Sequence, residues 1–475
     1  CHNGCGVLAY VKDGKLERVE GDPNFAYNEG RLCLRCLNMV EEIYNHDRLK
    51  WPLLLDGEKG SNKWKRVTWD EALDFIEDAF ADVCDIIRNE YGGIGPEGVV
   101  ALSGTGRNAM WQGAMVLRTA FGSPNMSFGF LSADSCYQPR MTANLLQEGD
   151  CWILDNAQLH PDRYNNAEWV KPEVVIVWAN QPLASNPDGF MGHWLIDLMR
   201  MGTKFIVVDP ALTWLASKAD IWLQVRPGTD CALALGMLNV IINEDLYDHE
   251  WTETWTYGFE SLVERVAEYP TDKVADICWV EEQDIIDAAR MYATAKPAAV
   301  QWGLAIDMQI SAMEASNAID DMVAICGNLD VPGGQILPGT GAGHNESGFG
   351  FEKGVGEELQ KKMIGLDQYP AYCMVILNAH ADLMLKALET GEPYPVKMGF
   401  YAGNNLMTCT SMEPKRWHDA IVSSLEFCIG FDTFMNASIE ASCDIFLPLK
   451  TVAERDGTVF THYAPCTVTA GFMHK

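Results

Sequence analysis

The chain has 475 residues, 48% of them hydrophobic and 21% charged, with 35 Lys plus Arg against 66 Asp plus Glu. At roughly 150 residues per domain this is too much chain for one core and rules out a small disulfide module. The formal charge of -31 repels nucleic acid and anionic lipid, and no apolar run approaches the roughly 18 residues of a membrane helix. Nucleic-acid binding and direct membrane insertion are therefore excluded as principal functions, and the acidity itself reads as solvated surface.

The 15 cysteines have no regular spacing and read as reduced thiols rather than a disulfide framework. Residue 1 is Cys, with no initiator Met ahead of it, so the expectation is a piece of a longer polypeptide. A cytoplasmic location is favoured, with any twin-arginine export signal lying in the part upstream.

From Cys1 to about Pro52 the text alternates as short strands (Val7 to Val11, Leu16 to Val19) between glycine turns, a small β module with cysteines at both ends. A helix is predicted from Trp69 to Ile87, where Ala72, Leu73, Ile76, Phe80, Val83 and Ile87 recur at helical spacing behind Thr68 as N-cap. A buried strand from Gly98 to Leu102 then meets the turn Ser103-Gly104-Thr105-Gly106. With a following helix from Ala109 to Phe121 this makes an α/β unit.

An internal repeat organises the rest. One strand, Val174 to Ala179, ends at Asn180, and the next, Lys204 to Val208, ends at Asp209; much later Lys397 to Gly403 ends at Asn404, and Leu425 to Phe431 ends at Asp432. Downstream of each pair, Ala219-Asp220-Ile221-Trp222-Leu223 matches Cys443-Asp444-Ile445-Phe446-Leu447. Parallel strands expose their carboxyl ends to a crevice where amides take phosphate and carboxylates take ribose or base donors. Two copies imply two dinucleotides, or one large ligand with two nucleotide arms.

Cys1-x3-Cys5 followed by Cys33-x2-Cys36 clusters soft thiolates on short loops. The types suit an iron–sulfur cluster, zinc or plain buried thiols, and the x3 gap is off the pattern of a zinc ribbon. Ser103-Gly104-Thr105-Gly106 lacks the third glycine of a dinucleotide fingerprint. Arg226-Pro227-Gly228-Thr229-Asp230 is a tight turn before an apolar helix, in which Thr229 or Asp230 serves as cap, as ligand contact, or as both. Cys136 lies in a polar loop with Tyr137 and Arg140.

Taken together, these stretches resemble the catalytic subunits of the molybdenum/tungsten bis-pterin guanine dinucleotide enzymes, the dimethyl sulfoxide reductase superfamily. The resemblance runs through Cys1-x3-Cys5 with Gly30-Arg31-Leu32-Cys33, His46-Asp47-Arg48-Leu49, Trp69-Asp70-Glu71-Ala72, Val207-Val208-Asp209-Pro210, Arg226 to Asp230, and Gly327-Asn328-Leu329-Asp330-Val331-Pro332-Gly333-Gly334. It implies an α/β fold in which a small N-terminal β iron–sulfur module (1–65) precedes two pseudo-twofold-related doubly wound α/β domains. These are 66–135 with 345–475, discontinuous, and 136–344, with the family's closing C-terminal β-barrel absent from the chain.

The resemblance also assigns residues. Cys1, Cys5 and Cys33, with one upstream ligand, would hold a [4Fe–4S] cluster, Cys36 standing where Gly is usual. Arg35 takes the place of the Lys between cluster and pterin. Asn180, Asn186, Asp209, Gly228, Thr229 and Asp230 would hold one dinucleotide, and Gly403, Asn404 and Asp432 the other. Cys136 stands at the protein ligand to Mo or W, and Ala211 replaces an Arg often found after Asp-Pro.

Within the superfamily the chain looks closest to the branch of acetylene hydratase and anaerobic catechol dehydroxylases. The hydratase carries an acidic residue after its second cluster Cys; here His2 stands there, and an imidazole does not replace a raised-pKa carboxylic acid. The implied activity is an anaerobic oxidoreductase that passes electrons between the cluster and a Mo/W centre, with reductive dehydroxylation of a catechol-like compound as the expected reaction. His2, Tyr137 and Arg140 are the candidate catalytic donors, and an iron–sulfur electron-transfer subunit is the expected partner. Alternatives are a non-redox hydratase or transhydroxylase of the same family, and a cofactor-free structural or electron-relay subunit.

Overall fold

A computed structural model describes all residues except 1–4, 26–27, 105–112, 114–115, 128–137, 150–151, 156–166, 168, 186–189, 338–354, 376–377, 455–456, 462–463 and 470–475. The chain opens with an antiparallel hairpin of β1 (Val7–Lys12) and β2 (Lys15–Gly21), followed by the single helical turn α1 (Leu34–Leu37). Leu16, Val19, Met39 and Ile43 form a small core of their own, to which Ala453 is added from the far end of the chain. Arg48 fastens the junction: its guanidinium donates to the Ile43 carbonyl at 3.1 Å, to the Leu449 carbonyl at 3.3 Å and to Glu454.

Short antiparallel strands β3 (Leu53–Leu55) and β4 (Trp64–Arg66) lead into α2 (Trp69–Tyr91). Thr68 and Glu71 close a reciprocal capping box at its start, and Gly92, left-handed at φ 68°, stops it one turn beyond the predicted end. Then come β5 (Val99–Ser103), β6 (Met126–Ser127) and α3 (Gln138–Gln147). Residues 109–112 and 114–115 of the helix predicted from Ala109 lie outside the described residues. Its described end, Val116–Ala120, is a π-helical turn rather than an α-helix.

The first sequence repeat supplies β7 (Val174–Trp178), β8 (Lys204–Val208) and β9 (Ile221–Leu223), then α4 (Asp230–Asn243), β10 (Ala298–Trp302) and α5 (Ala312–Ile325). The second supplies β11 (Met398–Ala402), β12 (Phe427–Asp432), the short helix α6 (Ala437–Ser442) and β13 (Ile445–Pro448). Two sheets result. One is four-stranded and parallel, ordered β9-β8-β7-β10; the other is seven-stranded, ordered β4-β3-β13-β12-β11-β5-β6, and parallel from β13 to β6. Within the larger sheet the run β13-β12-β11-β5 has the same order as the smaller sheet. The strand beside the first strand of the repeat comes after the repeat in one sheet, β10, and precedes it in the other, β5.

Both sheets are buried on both faces, which is why their strands read as unbroken apolar runs. Val174, Ile176 and Trp178 face one core with α4 and α5, while Val175 and Val177 face another with Phe205 and Val207. In the larger sheet Val99 and Ala101 face one core with Phe400 and Ile429, and Val100 and Leu102 the opposite one with Tyr401 and Cys428. A one-residue slip in any of these strands would exchange the two cores. The architecture is thus a mixed α/β fold.

Candidate functional site

Cys33 immediately precedes α1, and the backbone N–H groups of Cys36 and Leu37 donate to its carbonyl at 3.0 and 3.1 Å. Burial pushes the Cys33 thiol up, but the N–H groups of Cys36 and Arg35 and the Arg35 guanidinium outweigh it and hold the thiol below its ordinary value. Burial, with the adjoining Cys33, raises Cys36 instead. Of the two, Cys33 is the better soft-metal ligand.

Asn28, 1% exposed, holds the two cysteine loops together, a role that no sequence pattern announced. Its Oδ1 accepts from Gly6 N–H at 2.8 Å, and its Nδ2 donates to the carbonyls of Gly6 (3.1 Å) and Arg31 (2.7 Å). The segments next to Cys5 and Cys33 are therefore fixed to each other by one amide. Asn28→Ala removes three partly buried hydrogen bonds at about 1 kcal/mol each. The expected outcome is a protein that keeps its fold but loses most of its iron, measured as iron per chain and visible iron–sulfur absorption; full iron retention would count against this role. Arg35 extends from the same turn, and its Nη2 donates to the Ser185 carbonyl at 3.0 Å, which brings the cysteine loop to the segment just after Asn180.

The two repeats share hydrogen bonds as well as letters, with the asparagine acceptor one residue further back in the second. Asn180 Nδ2 donates to the carbonyl of Trp302 at the end of β10 (3.1 Å), and Asn404 Nδ2 to that of Leu102 near the end of β5 (3.2 Å). Ala179 N–H donates to Val208 and Gly403 N–H to Phe431, both at 3.0 Å. Ala179 and Gly403 both take positive φ, 52° and 58°; the same sharp exit is made once with a glycine and once against the preference of an L-residue. Against each exit presses a glycine from the neighbouring strand. A Cβ on Gly303 would lie 2.3 Å from the Ala179 carbonyl oxygen, and one on Gly104 2.1 Å from that of Gly403. The exits lie where strand order reverses, the position at which open α/β sheets take ligands.

Around these points the predicted contacts are placed as follows. Asp209 closes β8 and accepts from Ala211 N–H at 2.8 Å. Asp432 closes β12, accepting from Thr433 N–H at 2.6 Å and Asn436 Nδ2 at 2.8 Å. Gly228 turns at φ 85°. Thr229 occupies the N-cap of α4 without capping it by its side chain, since its hydroxyl donates to the Arg226 carbonyl at 2.7 Å. Asp230 is buried, and its two oxygens accept from Trp178 Nε1 (2.8 Å) and Gln309 Nε2 (3.0 Å). Burial raises its carboxyl, with those hydrogen bonds opposing.

Cys1, His2, Cys136, Tyr137 and Asn186 lie outside the described residues, and among the described residues no three His, Cys, Asp or Glu side chains gather as a metal site. The helix α3, which begins two residues after Cys136, is held firmly. Arg140 in its first turn donates to Asp307 twice, through its backbone N–H (3.1 Å) and its Nε (2.8 Å), and both side chains are buried. Further along the same face Asn144 Nδ2 and Trp152 Nε1 both donate to Asp320 at 2.8 Å, and Gln147 Nε2 donates to Asp321 at 3.3 Å. This ladder locks α3 to α5.

Glu148 closes the ladder with both carboxyl oxygens buried and, among the described residues, without a hydrogen-bond partner. Burial, reinforced by Asp321, pushes it up to about 8, and burial brings Asp321 to about 6. For a carboxyl raised in the fold, the favourable contribution is intact below the ordinary value and is lost as pH rises toward the folded one. Stability should therefore fall between about pH 4.5 and 8. Glu148→Gln should flatten that slope and stabilise the protein at pH 8 by on the order of 2 kcal/mol, read as melting temperature against pH. Parallel slopes in the two proteins would contradict it.

Several buried polar atoms lack a partner among the described residues: Ser103 Oγ at the close of β5, Gln181 Oε1 beside Asn180, Gln309 Oε1 beside Asp230, and both amide atoms of Gln138 at the start of α3. An unsatisfied buried polar atom costs about 1–3 kcal/mol, so a polar ligand that reaches these positions is favoured by satisfying them. The residues present thus fit a large, hydrogen-bonding ligand such as a nucleotide.

A sequence profile of the family "Molybdopterin oxidoreductase" matches residues 48–465, and one of the "Molybdopterin oxidoreductase Fe4S4 domain" matches residues 1–45. The chain belongs to the molybdopterin oxidoreductase family. It is similar to acetylene hydratase from Syntrophotalea acetylenica, 30% identical over 94% of this chain and 61% of that protein. It also resembles formate dehydrogenase H from Escherichia coli, 28% identical over 97% of this chain and 62% of the relative. The solved acetylene hydratase of Pelobacter acetylenicus matches with a TM-score of 0.84 at 27% identity, covering 100% of this chain and 65% of that one. The chain therefore spans less than two thirds of these relatives. The superfamily and the likeness to acetylene hydratase read from the residues are borne out, as are the [4Fe–4S] and molybdenum or tungsten pterin cofactors they implied. No described helix is long and apolar enough to cross a membrane.

Proposed function

We propose that this chain is the cofactor-binding part of the catalytic subunit of an anaerobic oxidoreductase. In this reading a small β iron–sulfur module (1–65) serves two pseudo-twofold-related α/β domains, 66–135 with 345–475 and 136–344, each holding one pterin guanine dinucleotide. The observation that carries the reading is the doubled strand-end geometry: Asn180 bonds the carbonyl of Trp302, just before Gly303, and Asn404 that of Leu102, two residues before Gly104.

In the proposed arrangement Cys1, Cys5 and Cys33, with one ligand upstream, hold the cluster, and Arg35 lies between it and the first dinucleotide. Asn180, Asn186, Asp209, Gly228 and Thr229 hold that dinucleotide directly. Asp230, engaged by Trp178 and Gln309, positions the turn. Gly403, Asn404 and Asp432 hold the second, and Cys136 is the protein ligand to Mo or W. When bound, the metal and its pterins supply two-electron chemistry. The chain's own part is to exclude water, fix the ligands and move protons: His2 and Tyr137 are the proposed donors at the substrate. Arg140 is better suited to positioning, since Asp307 binds its Nε and backbone N–H and thereby sets where the 128–137 segment joins α3.

The proposed substrate is a small organic hydroxyl compound, a catechol-like ring being the specific candidate, with electrons arriving from an iron–sulfur partner subunit. The likeness to acetylene hydratase supports a second reading, non-redox hydration. Assaying the full-length anaerobic protein with reduced viologen separates the two. Dye oxidation that depends on a catechol and yields the dehydroxylated ring supports the first; turnover of acetylene without any dye supports the second. Dye oxidation that depends on neither overturns the proposed substrate.

A further inference from the structure

The second repeat differs from the first at one buried pair of positions. In both, an aspartate at the start of the last strand clamps the backbone of the strand before it. Asp220 N–H donates to the Phe205 carbonyl (2.8 Å) while Asp220 Oδ2 accepts from Phe205 N–H (2.9 Å). Asp444 does the same to Cys428, at 2.8 and 2.7 Å. The clamp juxtaposes Phe205 with Ala219 in the first copy, and Cys428 with Cys443 in the second. The apolar pair shows that this backbone needs no sulfur there.

The thiols of Cys428 and Cys443 touch, with their sulfurs 3.6 Å apart and both residues buried in the core beside Tyr401 and Ser442. From this contact, held by the Asp444 clamp, we infer that Cys428 and Cys443 are a modification site: an intramolecular disulfide forms there under a low-molecular-weight disulfide oxidant. The step is balanced as two exchanges. One thiolate attacks the oxidant and expels a thiolate, and the second protein thiolate attacks the mixed disulfide and expels the other. Two protein thiols thus become one disulfide, and oxidised glutathione becomes two reduced glutathiones. A sulfur–sulfur bond of about 2.05 Å needs the two atoms to close by roughly 1.5 Å. Burial, followed by the Cys428 contact, raises the Cys443 thiol well above its ordinary value, so the exchange is slow and proceeds through local opening. The bond would close the loop that carries Asp432 and Asn436, coupling oxidation state to the mobility of that loop.

The test is a thiol map of the full-length, cofactor-loaded protein after exposure to oxidised glutathione, alkylated under denaturing conditions and read by mass spectrometry. The expected result is a Cys428–Cys443 cross-linked peptide, reversed by dithiothreitol, that accumulates before any adduct at the buried thiols Cys84, Cys278, Cys326 and Cys373. Cys443→Ala, which installs the residue of the first repeat, should abolish the cross-link and keep the melting temperature within a few degrees. Full alkylation of Cys428 and Cys443 at a time when the equally buried thiols Cys84, Cys278, Cys326 or Cys373 already carry adducts would overturn the inference. So would a Cys428 bond to any other cysteine.

Discussion

Alanine at Gly303, or at Gly104, is expected to lower the melting temperature by on the order of 5–10 °C and to strip the pterin from the protein. The added methyl would stand 2.3 Å from the Ala179 carbonyl oxygen in one case and 2.1 Å from that of Gly403 in the other. Both obstacles are backbone, with no flexible side chain to yield, so a strand end must shift. Overpacking of this kind costs about 1–3 kcal/mol, and the strained exit also pulls Asn180 or Asn404 from its carbonyl partner for about 1 kcal/mol more. Gly202→Ala, outside the proposed site, is the internal control. Its φ is 85°, but a Cβ there meets nothing within 4 Å, so only the left-handed penalty of about 1 kcal/mol applies. A control as damaging as the two strand-end substitutions would show that backbone conformation, not close approach, decides these positions.

Asp307→Ala is expected to cost about 3–5 kcal/mol, since it takes away the buried carboxylate that accepts both from the Arg140 backbone and from its guanidinium. The side chain of Asp307 has no exposure and that of Arg140 has 7%, so water does little to compensate. The damage should spread along α3 toward the 128–137 segment that holds Cys136, lowering metal content together with stability. Asp307→Asn keeps one acceptor and should fall between the two. Replacing both partners, Arg140→Met with Asp307→Leu, should recover stability relative to Asp307→Ala without restoring metal content. Metal retention in the double variant would mean that the pair is structural only.

Much of this geometry was legible in the sequence. Strands buried on both faces leave continuous apolar runs, so Val174 to Trp178, Lys204 to Val208 and Val99 to Leu102 could be read directly, and Thr68 marked its helix start. The Asn and Asp spacing exposed the repeat because both copies end their strands on polar residues, although Asp209 accepts from Ala211 N–H and Asp432 from Thr433 N–H and Asn436. Other features were hidden for physical reasons. Gly104 and Gly303 matter through approach to a chain segment far away in sequence, and a lone glycine carries no record of what it approaches. Asn28 acts by joining Gly6 to Arg31, and an amide in a turn looks like any other turn residue. Asp220 and Asp444 were visible as part of the match, but only the structure shows that they hold backbone. The π-helical turn at Val116–Ala120 differs from an α-helix in hydrogen-bond register, which apolar spacing does not report.

The most direct test of the central claim is to count metals and nucleotides on the full-length protein purified without oxygen. Two dinucleotides on two copies of one strand-end site, with a cluster on the cysteine loops, predict about four Fe and one Mo or W per chain. Acid hydrolysis should release two guanine nucleotides for each Mo or W, and visible iron–sulfur absorption should be present. One guanine nucleotide per metal would leave one copy of the repeat without its ligand. Stoichiometric zinc without that absorption, or no metal at all, would contradict the account.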